Sequence, residues 1–367
     1  MTYQRQGRPR VLLGYFRLKD RSVSHIPAHM RHVLAVLLAA SLALFTACGR
    51  DQDKCELDPE VANVKAPVEL ERLEKPFFQI KSATDAKRFI AEHPLFANQF
   101  LQRRQFPTDD VLAGTLTRLA TNVGLQQLGR QTDSTFQDSA KLKGELQRMF
   151  QHIRYNFPTF PVPPVTTFVT GLSQDMFVND SLMVLGLDFF VGPKAKYRPN
   201  VPDYILRRYR PEYLLPTAAL AISSKYNKKE LTDQTMLADM IQFGKSLYFA
   251  ERVLPCTPDS LLIGYTNKEL AGINFNEGKI WAHFLEKKLI YDTAPFTIQK
   301  YVGERPNIPE IDKTCPGRIG AWVGWQIVRK YMSTHSNVTL AQLMADKNAQ
   351  HILTDSRYRP KPRRAEK

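Results

Sequence analysis

The sequence predicts an α+β fold, a helix-rich domain with a small early β-sheet. Three observations carry this. Apolar residues recur at helical spacing through most of the chain. Two runs rich in β-branched and aromatic residues, VTTFVTGL and SLMVLGLDFFVG, fall close together between 165 and 192. The apolar content of 43% is ordinary for a globular protein, and enough chain follows residue 47 for one large domain or two small ones.

The chain opens with 1–29, basic and polar and without structural pattern, an upstream start-site extension ahead of Met30. Residues 30–47 have the order of a lipoprotein signal peptide. Arg31 supplies the positive region, Val33 to Phe45 the apolar run, and Phe45-Thr46-Ala47 leads to Cys48 as the lipidation residue. A membrane-spanning helix needs about 20 consecutive apolar residues, and this run is shorter. The expected address is a bacterial cell envelope, with the body anchored to a membrane, inner or outer, by acyl chains. Residues 48–75, with Pro59 and Pro67, read as a polar tether, 76–356 as a single α+β domain, and 357–367 as a basic flexible tail.

Within the domain, Thr84 is placed to cap a helix through DAKRFIAEHPLF that is interrupted near Pro94. Thr108, with Asp109 and Asp110 in the first turn, begins a helix whose apolar positions are Val111, Leu112, Leu116, Leu119 and Val123. A helix over 134–155 carries Leu142, Leu146, Phe150 and Ile153 on one face. After the Pro-rich connector FPTFPVPPV come two strands joined by Gln174 to Asp180, then helical sequence from Ile205 to Tyr226. Thr232 is expected to cap a helix in which Gly244, costing about 1 kcal/mol against alanine, implies close packing of a neighbour. Thr266 and Glu269 form a capping box ahead of KELAGINFNEGKIWAHFLEKKLIY. Gly320 and Gly324, at i and i+4, smooth one helical surface, and Thr339 starts a last helix.

Charge narrows the functional classes. The formal charge is +15; the first 47 residues account for +6 of it and the tail for +5. A short basic arm with proline is a solvated segment suited to anionic lipid or glycan. No zinc finger, helicase motif or RNA-binding aromatic signature occurs, so nucleic acid is not an expected partner. With Cys48 acylated, Cys55, Cys256 and Cys315 remain, an odd number. Cys256 and Cys315 both lie in proline-rich connections, LPCTP and KTCPG. An oxidising compartment permits a disulfide between them; free thiols are the alternative.

Ordered blocks then carry a resemblance: LGLDFFVG, RRYRPEYL, MIQFGKSLYFAERVLP, IGYTNKELAG, NEGKIWAHFLEKKLIY, PGRIGAWVGWQIVRKYM and ILTDSRYRP. Together they resemble the gliding-motility lipoprotein family GldB of the Bacteroidetes over about Lys75 to Pro360. The resemblance implies an envelope-anchored component of the gliding-motility machinery, linked to type IX secretion. More distantly the layout is similar to that of a group of zinc peptidases, whose first helix carries HExxH. The matching segment here, PEYLLPTAALAISSKY, has no histidine, and Phe243 stands before Gly244 where that group has an acidic ligand. His93, His152, His283, His335 and His351 are scattered, whereas zinc needs three or four converging ligands. A metallopeptidase-like layout without metal, cofactor or catalytic residue is therefore expected.

Asp188, at the end of the second strand run, is a candidate for the cleft or, alternatively, a loop brace. Arg318, beside Gly317 and Gly320, is a candidate for an anion or partner carboxylate, with a surface salt bridge as its alternative. Trp322 and Trp325 are candidates for an aromatic partner surface, with core packing as theirs. Glu212, Glu251 and Glu277 are candidates for an acid pair in hydrolysis, with solvated helix positions as their alternative. The expected function is non-catalytic binding or scaffolding of gliding and secretion proteins. The rivals are an envelope hydrolase using carboxylates and a small-ligand-binding lipoprotein.

Overall fold

A computed structural model describes residues 58–361 of the chain. The signal segment, Cys48 and Cys55 lie outside the described residues, as do 362–367 of the basic tail. The order is α1 (Pro59–Ala62), β1 (Leu70–Arg72), α2 (Glu74–Phe77), α3 (Ala83–Glu92), α4 (Pro94–Gln99), α5 (Asp109–Ala120), α6 (Val123–Thr135) and α7 (Ser139–Asn156). Then come β2 (Val165–Phe168), β3 (Met176–Val178), β4 (Met183–Gly186), α8 (Asp203–Leu206), α9 (Leu214–Tyr226) and α10 (Met236–Val253). The remainder is helical: α11 (Asp259–Ile263), α12 (Asn267–Phe275), α13 (Glu277–Glu286), α14 (Pro295–Val302), α15 (Ile319–Thr334), α16 (Leu340–Ala345) and α17 (Ala349–Ser356). This is the helix-rich α+β class.

The sheet has four strands in the order β1-β2-β4-β3. β1, β2 and β4 are parallel, with Leu70 opposite Val165 and Val165 opposite Met183, while β3 runs antiparallel to β4. β2 and β4 are buried throughout because both faces are covered, as parallel strands require. Along β4 the side chains alternate: Met183 and Leu185 enter the main helical core, and Val184 enters a smaller one with Phe77, Phe89, Phe96 and Leu116.

Two sequence expectations about this region change. The segment joining the two strand runs, Gln174 to Asp180, itself contains β3, which supplies the sheet's antiparallel edge. The described part of the expected tether, 58–75, is folded: β1 lies in it, and Val61, Val68 and Leu73 are buried. Its polarity misled because the charges are satisfied. Glu74, 2% exposed, accepts from Arg72 Nε at 2.6 Å and from Thr167 Oγ1 at 2.7 Å.

The helix caps show small displacements from expectation. Ser82, not Thr84, closes a capping box with Asp85. Thr235 rather than Thr232 caps α10, its own N–H and hydroxyl donating to Asp233. Thr108, Thr266 and Thr339 cap as expected. In α5 the buried face is Leu112, Ala113, Leu116 and Ala120, leaving Val111 and Leu119 exposed. The long helix expected after Thr266 breaks at Asn276, which ends α12 and begins α13.

At the main core, α10 crosses α15 in the most extensive helix–helix contact of the fold. A Cβ on Gly244 would lie 2.3 Å from the carbonyl carbon of Gly324, and one on Gly324 would lie 1.8 Å from the Met240 oxygen. The close neighbour implied by Gly244 is therefore the backbone of α15. The C-terminal segment is also more structured than a tail. Tyr358 is buried, its ring edge-on to Trp281 and its hydroxyl donating to Glu277 at 2.8 Å.

Candidate functional site

Two recesses flank the loop from Thr170 to Asp175, which connects β2 to β3. One, about 660 Å³, is apolar and is walled by Phe77, Phe100, Leu116, Phe168 and Leu172, with Gln174 at its border. The other, about 200 Å³, is lined by Asp175, Arg208, Tyr209, Thr217, Ile263 and Arg318. Gln174 and Asp175 are adjacent in sequence, so one short loop forms part of both walls.

Asp188 shapes this loop. Its side chain is 1% exposed and accepts from the backbone N–H of Thr170 at 3.0 Å and of Leu172 at 2.7 Å. Gly171 and Leu172 both have positive φ, 69° and 61°; for leucine that costs about 1–2 kcal/mol. Two anchored N–H groups hold the leucine in that conformation. Burial pushes the carboxyl of Asp188 above its ordinary range, and the N–H donors oppose the shift. Asp188 thus braces the loop, and its carboxylate is spent on backbone donors rather than offered to a cleft.

Arg318 lies at the smaller recess. It begins α15 in the left-handed conformation, and its Nη1 donates to the Ile263 carbonyl at 2.9 Å. Arg208 faces it, and both approach one carboxylate, Glu304, at 2.9 Å and 3.5 Å. Gly264, at φ 80°, makes room for this arrangement, since a Cβ there would lie 2.4 Å from Arg208 Cδ. Asp175 is engaged separately by the Tyr209 hydroxyl at 3.2 Å, which together with burial pushes that phenol up to about 12. The two guanidinium groups are matched in formal charge by Glu304 and Asp175, so the recess offers guanidinium N–H donors beside carboxylates and apolar side chains. Guanidinium donors in such a setting suit a polar or carboxylate-bearing group.

The other sequence candidates are not brought together. Trp322 and Trp325, 1% and 0% exposed, are core residues, which corrects the expected aromatic surface. Apolar neighbours on α15 and the face of α10 enclose both rings. Trp325 Nε1 donates to Glu251 at 2.8 Å, and the Arg329 guanidinium stacks on its ring at 3.9 Å. Arg329 also makes a bidentate pair with Asp259, at 2.7 and 2.8 Å. Glu212 pairs with Arg210 and Glu277 with Tyr358, so the three glutamates form no acid pair with one another.

Cys315 is buried and free, so of the two readings left open for it the free thiol holds and a bridge to Cys256 does not; burial pushes the thiol up to about 12. The Cys315 thiol donates to the adjacent Pro316 carbonyl at 3.8 Å. Among the described residues no group of three or more His, Cys, Asp or Glu side chains is gathered to hold a metal ion. His93 approaches Glu71, His283 bonds to Tyr301, and His351 lies between Asp346 and Asp355.

Arg208, Tyr209, Asp175 and Glu304 were not singled out from the sequence. The RRYR run was the available signal, since three arginines so close together need separate partners. Arg207 finds Glu269 at 2.9 Å, Arg208 finds Glu304, and Arg210 finds Glu212.

The fold and its recesses define a helix-rich α+β body with two cavities meeting at one loop of a small mixed sheet. The family model of gliding motility protein GldB matches residues 54–360, and the chain belongs to that family. Membership implies involvement in gliding motility, and the family is one of lipoproteins, which suggests envelope association. No described helix is long and apolar enough to cross a membrane. Neither the curated proteins nor the solved structures contain a match.

Proposed function

We propose that this protein is a non-catalytic, lipid-anchored binding component of the gliding machinery that organises proteins of the linked type IX secretion apparatus. The acyl anchor is Cys48. The partner contact is the surface around Thr170 to Asp175. The supporting observation is the pairing of an apolar recess with one that holds two arginines across that braced loop. An apolar side chain of a partner fills the first, and a neighbouring carboxylate engages Arg208 and Arg318 in the second.

The test uses cells in which Arg208→Ala replaces the native chain, with a photo-crosslinking residue at Gln174 and, separately, at the exposed Leu231. Expected are crosslinks to a component of the motility or secretion apparatus from position 174 alone, lost together with gliding in the Arg208 variant. The anchored amount of protein should not change. Normal gliding and unaltered crosslinks in Arg208→Ala would remove this surface from the function. Cleavage of envelope peptides or glycans by the purified body would overturn the non-catalytic reading.

A further inference from the structure

Residues of α13, the turn after it and the C-terminal segment enclose an open recess of about 590 Å³. Its apolar wall includes Leu285, Ile290, Tyr291 and Leu353, and its charged members are Arg357 and Arg359, with no carboxylate among the lining residues. Leu285 and Tyr291 are 47% and 58% exposed, so this apolar surface is open to its surroundings and not capped by the body. We propose that this face lies on the membrane that holds the chain, its apolar residues in the headgroup region and its basic residues against anionic phospholipid. The inference rests on the lipid-anchored reading of the chain and uses none of the residues of the partner surface around Thr170 to Asp175.

The basic edge is built by packing. Tyr358 is fixed by the ring of Trp281 and by its hydroxyl bond to Glu277, and Ser356 before it is buried. Arg357, Arg359 and Lys361, which alternate with these inward residues, are exposed. Arg357 ends α17 in the left-handed conformation, at φ 51°. The alternation sets three cations on the outer side of a segment whose inner side is locked. Successive members are at most about 7 Å apart along the chain. A row so spaced suits a plane of repeated negative charge, whereas one small anion would need the groups to converge.

Charge balance points the same way. Lys287 and Lys288 are exposed in the turn between the lining residues Leu285 and Ile290. Among the described residues none of these five basic side chains has a carboxylate partner, in contrast to Arg207, Arg208 and Arg210, which each have one. The acids close by in sequence are engaged: Glu277 by Tyr358, Asp292 by the Ala294 N–H, and Asp355 by His351. Glu286 stays exposed, one negative charge against five positive. An apolar surface rimmed by polar groups marks a protein or membrane contact, and a rim chiefly of one sign selects a partner of the other. Tyrosine is favoured at the headgroup level, and lysine and arginine lay their stems along apolar surface with the charge outward. Each basic residue close to an anionic leaflet favours the bound state by about fivefold.

The test uses the full-length lipoprotein reconstituted in vesicles of phosphatidylcholine, alone or mixed with phosphatidylglycerol. A photo-crosslinking residue is placed at Tyr291 or, separately, at Leu231, which is 82% exposed. In the mixed vesicles, lipid crosslinks from position 291 are expected to exceed those from 231 by about tenfold or more. They should fall by about tenfold in phosphatidylcholine alone, in about 0.5 M salt, and in the triple variant Arg357→Glu, Arg359→Glu, Lys361→Glu. Equal labelling from the two positions, or labelling from 291 that ignores lipid composition, would overturn the proposal. So would crosslinks from 291 to protein alone in intact envelopes. The composition series needs no charge substitution, so it decides the matter whether or not the triple variant folds. Flotation with the vesicles reports the acyl anchor separately. A chain that floats without lipid labelling at 291 defeats this proposal alone; one that floats in neither composition defeats the anchored reading and this proposal with it.

Discussion

Gly244 and Gly324 face each other backbone to backbone at the crossing of α10 and α15. A Cβ on either would fall within 2.3 Å of a main-chain atom of the opposite helix. Main chain cannot swing aside as a side chain can, so the helices must separate. Gly324→Ala is expected to destabilise the body by about 3 kcal/mol or more, the range of severe overpacking. Gly144 and Gly272, where an added Cβ meets nothing within 4 Å, serve as controls. Alanine there should be neutral or stabilising by up to about 1 kcal/mol. Urea unfolding of the three variants decides it, and an unaltered midpoint for Gly324→Ala would contradict the crossing.

Arg329 joins α15 to two other elements through Glu251 and Asp259 while stacking on Trp325. The group is about a quarter exposed, so solvent screens part of its worth. Arg329→Leu leaves two carboxylates facing each other and is expected to cost about 1–3 kcal/mol. Arg329→Lys keeps the charge but loses the fork geometry, and should recover only part of that loss. Thermal unfolding together with a shift in Trp emission reports both.

Lys245 is 1% exposed and donates to the carbonyls of Lys228 and Asp346, each at 2.6 Å, with Met344 at 3.4 Å. Burial pushes its ammonium down to about 8. In the unfolded chain the proton stays until the ordinary lysine range near 10.5. Between these values the unfolded chain binds more protons, so stability rises with pH. A neutral amine keeps two donors for the two short contacts. Unfolding free energy is expected to increase by about 2 kcal/mol between pH 7.5 and 9.5 relative to Lys245→Met. A flat difference between the two proteins would refute the assignment.

Asp188→Asn replaces one acceptor oxygen with an NH2 group that meets N–H donors. A cost of about 1–3 kcal/mol is expected, with faster proteolysis confined to the Thr170–Asp175 loop. If the loop resists protease as well as in the native chain, Asp188 is not its brace.

Much of this architecture was legible in the sequence because it rests on local chemistry. Thr108, Thr266 and Thr339 cap their helices since a hydroxyl needs only the N–H three residues on. The packing role of Gly244 followed from its cost within an apolar face. What escaped was non-local. β1 is three residues long and pairs with a strand that follows far later, so no local periodicity marks it. Arg208 and Glu304 are 96 positions apart and are neighbours only because Gly264 admits the arginine stem. Trp322 and Trp325 are surface candidates in the sequence, with a core role favoured for at least one by Val323, Ile327 and Val328, and both are buried.

The glycine crossing also sets a timetable for synthesis. Gly324 follows Gly244 by eighty positions, so α10 is complete while the helix that covers it has yet to be made. At about 5–20 residues per second, that interval is on the order of 4 to 16 s. Throughout it, Met240, Ile241, Leu247 and the other inward side chains of α10 have no α15 to meet. A nascent chain in this state presents a sticky, half-built helix pair, and a chaperone gripping it has until the second glycine emerges to let go.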